Sequence, residues 1–316
     1  MALDGITVSN VVKELQAQLT DARISKIAQP ESDELMLTFK CTGRTQVRLL
    51  MSASASLPLI YLTDANKPGP MTAPNFCMLL RKHIGGGRIV RIWQPGLERI
   101  IHFEIEHYDE MGDLRHKDLI LELMGKHSNI IFCDEDHTII DSIKHISAQT
   151  SSVREVLPGR TYFIPETQHK ADPLCTDEQE FLATVFSKPM PLSKALYTSY
   201  TGISPVIAEE LCHRASLESD QSAVSIGELE QIHLFSIFSH FAEDVREGNF
   251  SPNIIYDSHH VPLEFSSVKL SMYNDCETVC FDSVSQVLEL YYAQKNAVTR
   301  IRQRSSDLRR IVTTAL

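Results

Sequence analysis

Apolar residues near the start of the chain recur three and four apart. Val8, Val11, Val12, Leu15 and Leu19 set one face of an amphipathic helix over residues 6–20. The period then drops to two. Short β-rich runs follow at 23–28, 34–40, 46–51 and 58–62, with clear alternation from Leu35 to Phe39 and turn residues between the runs. After the loop Asn66-Lys67-Pro68-Gly69-Pro70, Pro74 opens a second helix reaching Ile84, because proline suits a first helical position. Gly85, Gly86 and Gly87 end it.

A second β-rich block occupies 88–94, 99–107, 114–124, 129–133 and 138–146, with Gly112 in a hairpin turn. From about residue 173 strand signals fade and helical periodicity takes over at 177–186, 190–198, 204–217 and 225–247. Short strands return at 253–256 and 268–272. Asp282 or Ser283 then caps a last helix that starts with Val287, Leu288, Tyr291 and Tyr292 and meets no glycine or proline before Leu316. The fold class expected is α+β. Its divisions are an α+β domain at 1–172 with two strand sets and two helices, a helical domain at 173–248, a return segment at 249–282, and the start of a long helix at 283–316.

Composition narrows the function classes. No apolar stretch approaches the 18 or so residues of a membrane span, and the N-terminus lacks the basic and apolar regions of a secretory signal. The seven cysteines are scattered, and Cys276 and Cys280 stand four apart rather than in a CxxC pair. They read as reduced thiols of a cytoplasmic protein. No metal-ligand spacing, Walker motif, GxGxxG or GxSxG occurs, so neither a cofactor nor a catalytic centre is expected. The net charge of −11 speaks against nucleic acid until its distribution is considered. Residues 173–248 hold twelve acids against four bases (Lys188, Lys194, Arg214 and Arg246), a balance of −8. The stretch from Arg300 to Arg310 holds five bases against Asp307. Charge is thus segregated, and a local basic surface can still bind RNA.

Four polar clusters are candidates for chemistry. Glu122-Leu123-Met124-Gly125-Lys126-His127-Ser128-Asn129 lies where one strand turns into the next; it is either a plain polar turn or a set of donors to phosphate or ribose. On the second helix, Phe76, Leu79, Leu80 and His83 share a face. Arg81 and Lys82 then point away, with Arg88 close in sequence, as a solvated face or as phosphate contacts. Glu98-Arg99 follows a turn, where one of the pair faces inward or toward a partner. Residues 196–211 have the form helix, turn with Gly202, helix. Such a turn can offer amides to a phosphate, although Ser204 stands where a second turn glycine is usual and the segment is acidic; a plain helical packing unit is the other reading.

These segments carry a family resemblance. Asp4 to Leu15, Phe76 to Ile84, Gly96 to Ile101, Leu121 to Ile130, Val261 to Ser266 and Phe281 to Tyr292 are similar, in order, to segments of the NFACT family and its RqcH group. Older usage calls bacterial members fibronectin-binding protein A. The resemblance implies an N-terminal domain like that of formamidopyrimidine-DNA glycosylases, then a helix-hairpin-helix domain and a coiled coil. It implies a ribosome quality control factor that binds the large ribosomal subunit holding stalled peptidyl-tRNA. Such a factor recruits alanyl-tRNA for template-independent tailing of the nascent chain and needs no catalytic side chain of its own. The family's tRNA-contacting Asp-Arg pair falls on Glu98-Arg99, with an acid one methylene longer here. A second determinant falls on Glu122, Leu123 and Met124, extended to Lys126 and His127. Two rival classes remain: a DNA glycosylase, opposed by the absence of an N-terminal proline nucleophile, and a fibronectin-binding adhesin, opposed by the absence of a signal sequence.

Overall fold

The computed structural model describes residues 3–41, 43, 46–166 and 169–295. Asp4 opens the first helix, α1 (Gly5–Leu19), where its carboxylate accepts the Thr7 amide at 2.8 Å. That satisfies one of the amides a helix start leaves without a partner. Ile6, Val8, Val11, Leu15 and Leu19 are all at most 1% exposed, and Thr7 and Asn10 are buried as well. The first half of the helix is buried nearly all round, while Lys13, Gln16 and Ala17 keep an exposed face on the second half.

β1 (Arg23–Glu31), β2 (Glu34–Lys40), β3 (Val47–Ser52) and β4 (Leu59–Thr63) form a meander. Helix α2 (Asn75–Ile84) follows, then a second meander of β5 (Arg88–Trp93), β6 (Ile100–Tyr108), β7 (Leu114–Glu122), β8 (Asn129–Asp134) and β9 (Ile139–Ser142). The two expected strand sets are one antiparallel sheet of nine strands, ordered β4-β3-β2-β1-β5-β6-β7-β8-β9. The meanders meet through their first strands. That seam pairs only Arg23 with Arg88, helped by 2.9 Å backbone bonds from Ile24 to Gly87, Gly86 to Ile24 and Ile89 to Ala22. Each helix packs against strands of the other meander, α1 on β5 and β6, and α2 on β1 as well as β6.

Strand alternation divides the side chains between two cores. Ile101, Phe103 and Ile105 of β6 and Leu119 and Leu121 of β7 face the helices in the main core. Ile100, Ile120, Ile131 and Cys133 face the other way and are covered by Val156 and Tyr162 of the 143–164 strap. Helix α2 is turned slightly from expectation. It buries Phe76, Cys77, Leu80 and Ile84, leaving His83 half-buried, and Pro74 is its N-cap rather than its first residue.

The helical unit comprises α3 (Glu178–Val185), α4 (Leu192–Ser199), α5 (Pro205–Arg214) and α6 (Glu228–Glu247). They close around Phe181, Tyr200 and Phe238, whose rings lie 4.7–5.9 Å apart. The return segment forms β10 (Asn253–Tyr256), β11 (Pro262–Ser266) and β12 (Glu277–Cys280), ordered β11-β10-β12. The strand expected at 268–272 is absent. There the buried Glu210 carboxylate accepts the amides of Ser271 and Met272 at 2.9 and 3.0 Å, and Arg214 donates to the Lys269 carbonyl. Those groups are therefore taken from any ladder.

The last helix, α7, runs over 284–295 among the described residues. Ser283 caps it, its hydroxyl accepting the Gln286 amide at 3.3 Å. Val284, Val287, Leu288, Tyr291 and Tyr292 return to the main core. The Leu62 amide donates to the Ser285 hydroxyl at 2.9 Å, and the Thr63 hydroxyl donates to Glu289 at 2.6 Å. The Ser285 amide donates to Glu14 of α1 at 3.2 Å. The basic cluster at 300–310 lies outside the described residues. Among the described residues no helix is long and apolar enough to cross a membrane.

Candidate nucleic-acid interface

The turn from β5 to β6 is fixed from inside. The Gln94 side-chain amide donates to the carbonyls of Gly5 and Glu98 at 3.0 and 2.7 Å, and the Glu98 amide donates to Pro95. Leu97 is buried between the start of α1 and the α4–α5 turn. The approach is close enough to require glycine. A Cβ on Gly5 would stand 2.1 Å from the Leu97 carbonyl oxygen, and one on Gly202 would stand 2.5 Å from the Leu97 Cβ. The Gly5 amide donates to the Gly202 carbonyl at 3.1 Å, and the Ser204 hydroxyl donates to Asp4 at 2.8 Å.

Of the two readings of 196–211, this packing fits the helical packing unit rather than the phosphate-binding turn. Ile203 and Ser204 are buried, and Ser204 itself accepts the Ile207 amide at the start of α5. The turn is used to dock the helical unit onto α1, leaving no open cradle for an anion.

Glu98 and Arg99 sit in the loop just before β6, both half-exposed. They are not yet strand residues, so strict alternation does not assign their faces. Burial raises the Glu98 carboxyl above the usual range, against the opposing pull of Arg99 and Lys170. No hydrogen bond or ion pair engages either side chain among the described residues. The Arg99 carbonyl accepts the Leu123 amide at 2.8 Å, continuing the register in which Ile100 faces Glu122. The two segments singled out from the sequence, 98–99 and 122–127, therefore meet at one end of the β6–β7 pair.

Within the second segment the side chains divide. Lys126 and His127 are exposed on a single 3₁₀ turn and Met124 is half-exposed. Glu122 and Leu123 are both 0% exposed, so neither has a free face for a partner. Glu122 pairs with Arg154 of the strap and accepts the Tyr162 hydroxyl at 2.9 Å. Its alternation places it on the strap side, while Leu123 enters the main core. Ser128 and Asn129, read as donors, are spent within the turn. Ser128 accepts the Met124 amide at 2.8 Å, and Asn129 donates to the Lys144 carbonyl at 2.9 Å. Lys144 in turn donates to the carbonyls of Ala53 and Ser128, clamping this turn to the end of β3.

Arg81, Lys82 and Arg88 stand elsewhere, as Arg88 pairs with Glu106 near the far end of β6. Arg81 donates to the Ile27 carbonyl at 2.9 Å. Lys82 lies 3.4 Å from Glu110, and Arg88 pairs with both Asp21 and Glu106. Lys82 and Arg88 thus face carboxylates, whereas Arg81 donates to a backbone carbonyl and has no carboxylate partner among the described residues.

The sequence reading passed over two other cations near the turn. Lys170 donates to the Tyr197 carbonyl at 2.9 Å, and Lys188 donates to the Ser199 hydroxyl at 2.6 Å. Both anchors are on the last turn of α4. Lys170 is also within electrostatic range of Arg99, Glu98 and Lys188. The available signal was weak: Lys188 is one of only four bases in the acidic stretch 173–248.

The family described as NFACT N-terminal and middle domains matches residues 4–316. The chain is 35% identical to the Rqc2 homolog RqcH of Bacillus subtilis over 316 residues, covering 99% of this chain and 52% of the relative. It is 29% identical to the RqcH protein of Streptococcus suis, covering 98% of this chain and 51% of that protein. The chain thus spans about half the length of these curated relatives. Among solved structures, the fibrinogen binding protein from Staphylococcus aureus superposes with a TM-score of 0.77 at 31% identity. It covers 92% of this chain and 99% of that one. The N-terminal part of the fibronectin/fibrinogen-binding protein from Streptococcus suis gives 0.75 at 28% identity, covering 92% and 98%.

Proposed function

The chain belongs to the NFACT family, and on that premise we propose that it acts in ribosome quality control by binding tRNA at the β6–β7 end of its sheet. In this reading it works in the cytoplasm on the large ribosomal subunit that holds stalled peptidyl-tRNA. It recruits alanyl-tRNA for template-independent tailing, and the ribosome's own centre makes the peptide bond. The observation that carries the reading is Arg99: a guanidinium with no hydrogen bond or ion pair among the described residues, on a turn locked by Leu97, Gly5 and Gly202. Its planar donor fork suits a phosphate or a base edge. Glu98 beside it can orient Arg99 or accept from an exocyclic amine, and Met124, Lys126 and His127 extend the surface.

The test is a tRNA titration at rising salt, with Arg99→Ala beside the parent. Loss of one phosphate contact flattens the log–log salt slope by roughly 0.7 for a single strand or roughly 0.9 for a duplex. Strong, salt-dependent binding that weakens in the variant supports the reading, and indifference to tRNA at low salt overturns it. The names of the solved neighbours favour a second reading, adhesion to fibronectin or fibrinogen. Immobilised fibronectin in the same salt series separates the two.

A further inference from the structure

Lys170, from outside the sheet, lies within electrostatic range of Arg99 and of Lys188, and neither lysine is ion-paired among the described residues. Lys170 precedes the bridge between Ala171 and Tyr200, where the Ala171 amide donates to the Ser199 carbonyl at 2.8 Å and the Thr201 amide donates back to Ala171 at 3.0 Å. That bridge fixes the lysine's backbone against the end of α4. Lys188 follows α3 and reaches the same turn of α4 through the buried Ser199. Asp172, two residues after Lys170, lies 3.6 Å from where a Cβ on Gly96 would stand. The 170–172 segment therefore flanks the very turn that carries Glu98 and Arg99.

The charge around this point runs against the rest of the molecule. The chain carries −11, and the helical stretch that supplies Lys188 carries twelve acids against four bases. Lys67 and Lys82 meet carboxylates, while Lys13 and Lys144, like Lys170 and Lys188, donate to neutral groups. Arg214 in the same unit is paired with Glu210 at 2.7 Å. Lys170 and Lys188 instead donate to a carbonyl and a hydroxyl, and Arg99 has no partner among the described residues. Arg99 and Lys170 thus flank Glu98, with Lys188 next to Lys170 and the Asp172 carboxylate against the same turn. Burial first, then Arg99 and Lys188, draw the Lys170 ammonium below the usual lysine range, with Glu98 opposing them. Gathering like charges is unfavourable unless a counter-charge arrives, and the neutral anchors leave the remaining ammonium protons of each lysine available to it.

We propose that Lys170 and Lys188 join Arg99 in one phosphate seat that straddles the junction of the sheet and the helical unit and takes the backbone phosphates of RNA. The proposal rests on the tRNA reading for the identity of the RNA, but the seat is defined by its own chemistry. It makes the docking of α4 and α5 onto α1 functional, since that docking brings the helical unit's cation to the sheet's arginine.

The experiment uses Lys170→Gln, Lys188→Gln and the double variant, because glutamine keeps a donor for the Tyr197 carbonyl or the Ser199 hydroxyl while removing the charge. Thermal melting checks that each variant is folded, with Lys170→Arg and Lys188→Arg as charge-retaining controls. Two probes are titrated: tRNA across a salt series, and inorganic tripolyphosphate followed by NMR of the lysine side chains. Each glutamine is expected to flatten the tRNA salt slope by roughly 0.7–0.9, which is roughly five- to eightfold in affinity per tenfold change in salt. The double variant is expected to lose the tripolyphosphate response at both lysines, and the arginine controls to retain tRNA binding. If tRNA binds through Arg99 while the folded glutamine variants keep the parent slope, the seat is wrong and the tRNA reading stands. If tripolyphosphate moves the lysine resonances but tRNA does not bind, the seat stands and the tRNA reading falls. No response to either probe overturns both.

Discussion

Glu98 and Glu122 are carboxylates at neighbouring strand ends, and their surroundings give them different work. Glu122 is fully enclosed, and its partner Arg154 is 12% exposed at the side chain. Glu122→Ala leaves a guanidinium buried without its counter-charge, and a loss of about 3–5 kcal/mol is expected. A urea midpoint reads it, with tRNA binding by the remaining folded fraction unchanged. Glu98 has no such partner. Burial raises its folded-state carboxyl pKa above the unfolded value, so ionisation costs the folded state. Stability falls as pH rises from the unfolded pKa, about 4.3, through the higher folded one. Glu98→Gln should therefore be more stable than the parent at pH 7, with the gap closing near pH 3.5. Urea midpoints at the two pH values measure it. The sequence located both acids but not their burial. A period of two assigns Glu122 to a face, yet nothing local to residues 114–124 says that a strap some thirty residues downstream covers that face. Lys170 was hidden for a similar reason, since its setting comes from α4 and the turn before β6.

At the scale of elements, the periodicities placed most helices and strands within a residue or two because each buries one face. One exception, besides the strand expected at 138–146 that spans only Ile139–Ser142, is instructive. Val268 and Leu270 do alternate inward, but their neighbours' amides go to Glu210 rather than to another strand. Burial works to raise the Glu210 carboxyl, but the amides of Ser271 and Met272, its hydroxyl partner on Ser271, and Arg214 together hold it below the usual range. Its contribution to stability is thus present above the unfolded pKa and is lost as pH falls through the folded one. Glu210→Gln is expected to shrink that acid-side loss and to speed hydrogen exchange at Ser271 and Met272. The Gly202 turn was legible as a turn but not as a docking surface. Gly202 has a φ of +79°, and an added Cβ would meet Leu97. Gly202→Ala combines roughly 1–3 kcal/mol of overpacking with roughly 1–2 kcal/mol for the left-handed backbone. A lowered melting temperature and faster exchange of the Gly5 amide are expected together. A variant that melts like the parent would mean that the docking tolerates separation.

Over the whole molecule, the α+β class was visible because strand-rich and helix-rich stretches are segregated along the chain. The joining of the two meanders was not, because β1 meets β5 through a short seam that leaves no mark on local alternation. The return of residues 284–295 to the main core was equally hidden; it depends on pairs such as Ser285 with Glu14, which are 271 residues apart. The crossed packing of the two helices has a consequence for how the chain can be divided. Cut near residue 73, each piece would hold a helix that has lost strands it packs on: α1 loses β5 and β6, and α2 loses β1 while keeping β6. Neither piece is expected to fold alone. Produced together, they should find each other and rebuild the sheet, as two halves of a split reporter do. Mixing the purified pieces and watching cooperative unfolding return measures it, and a piece that folds unaided would show that the interlock is dispensable.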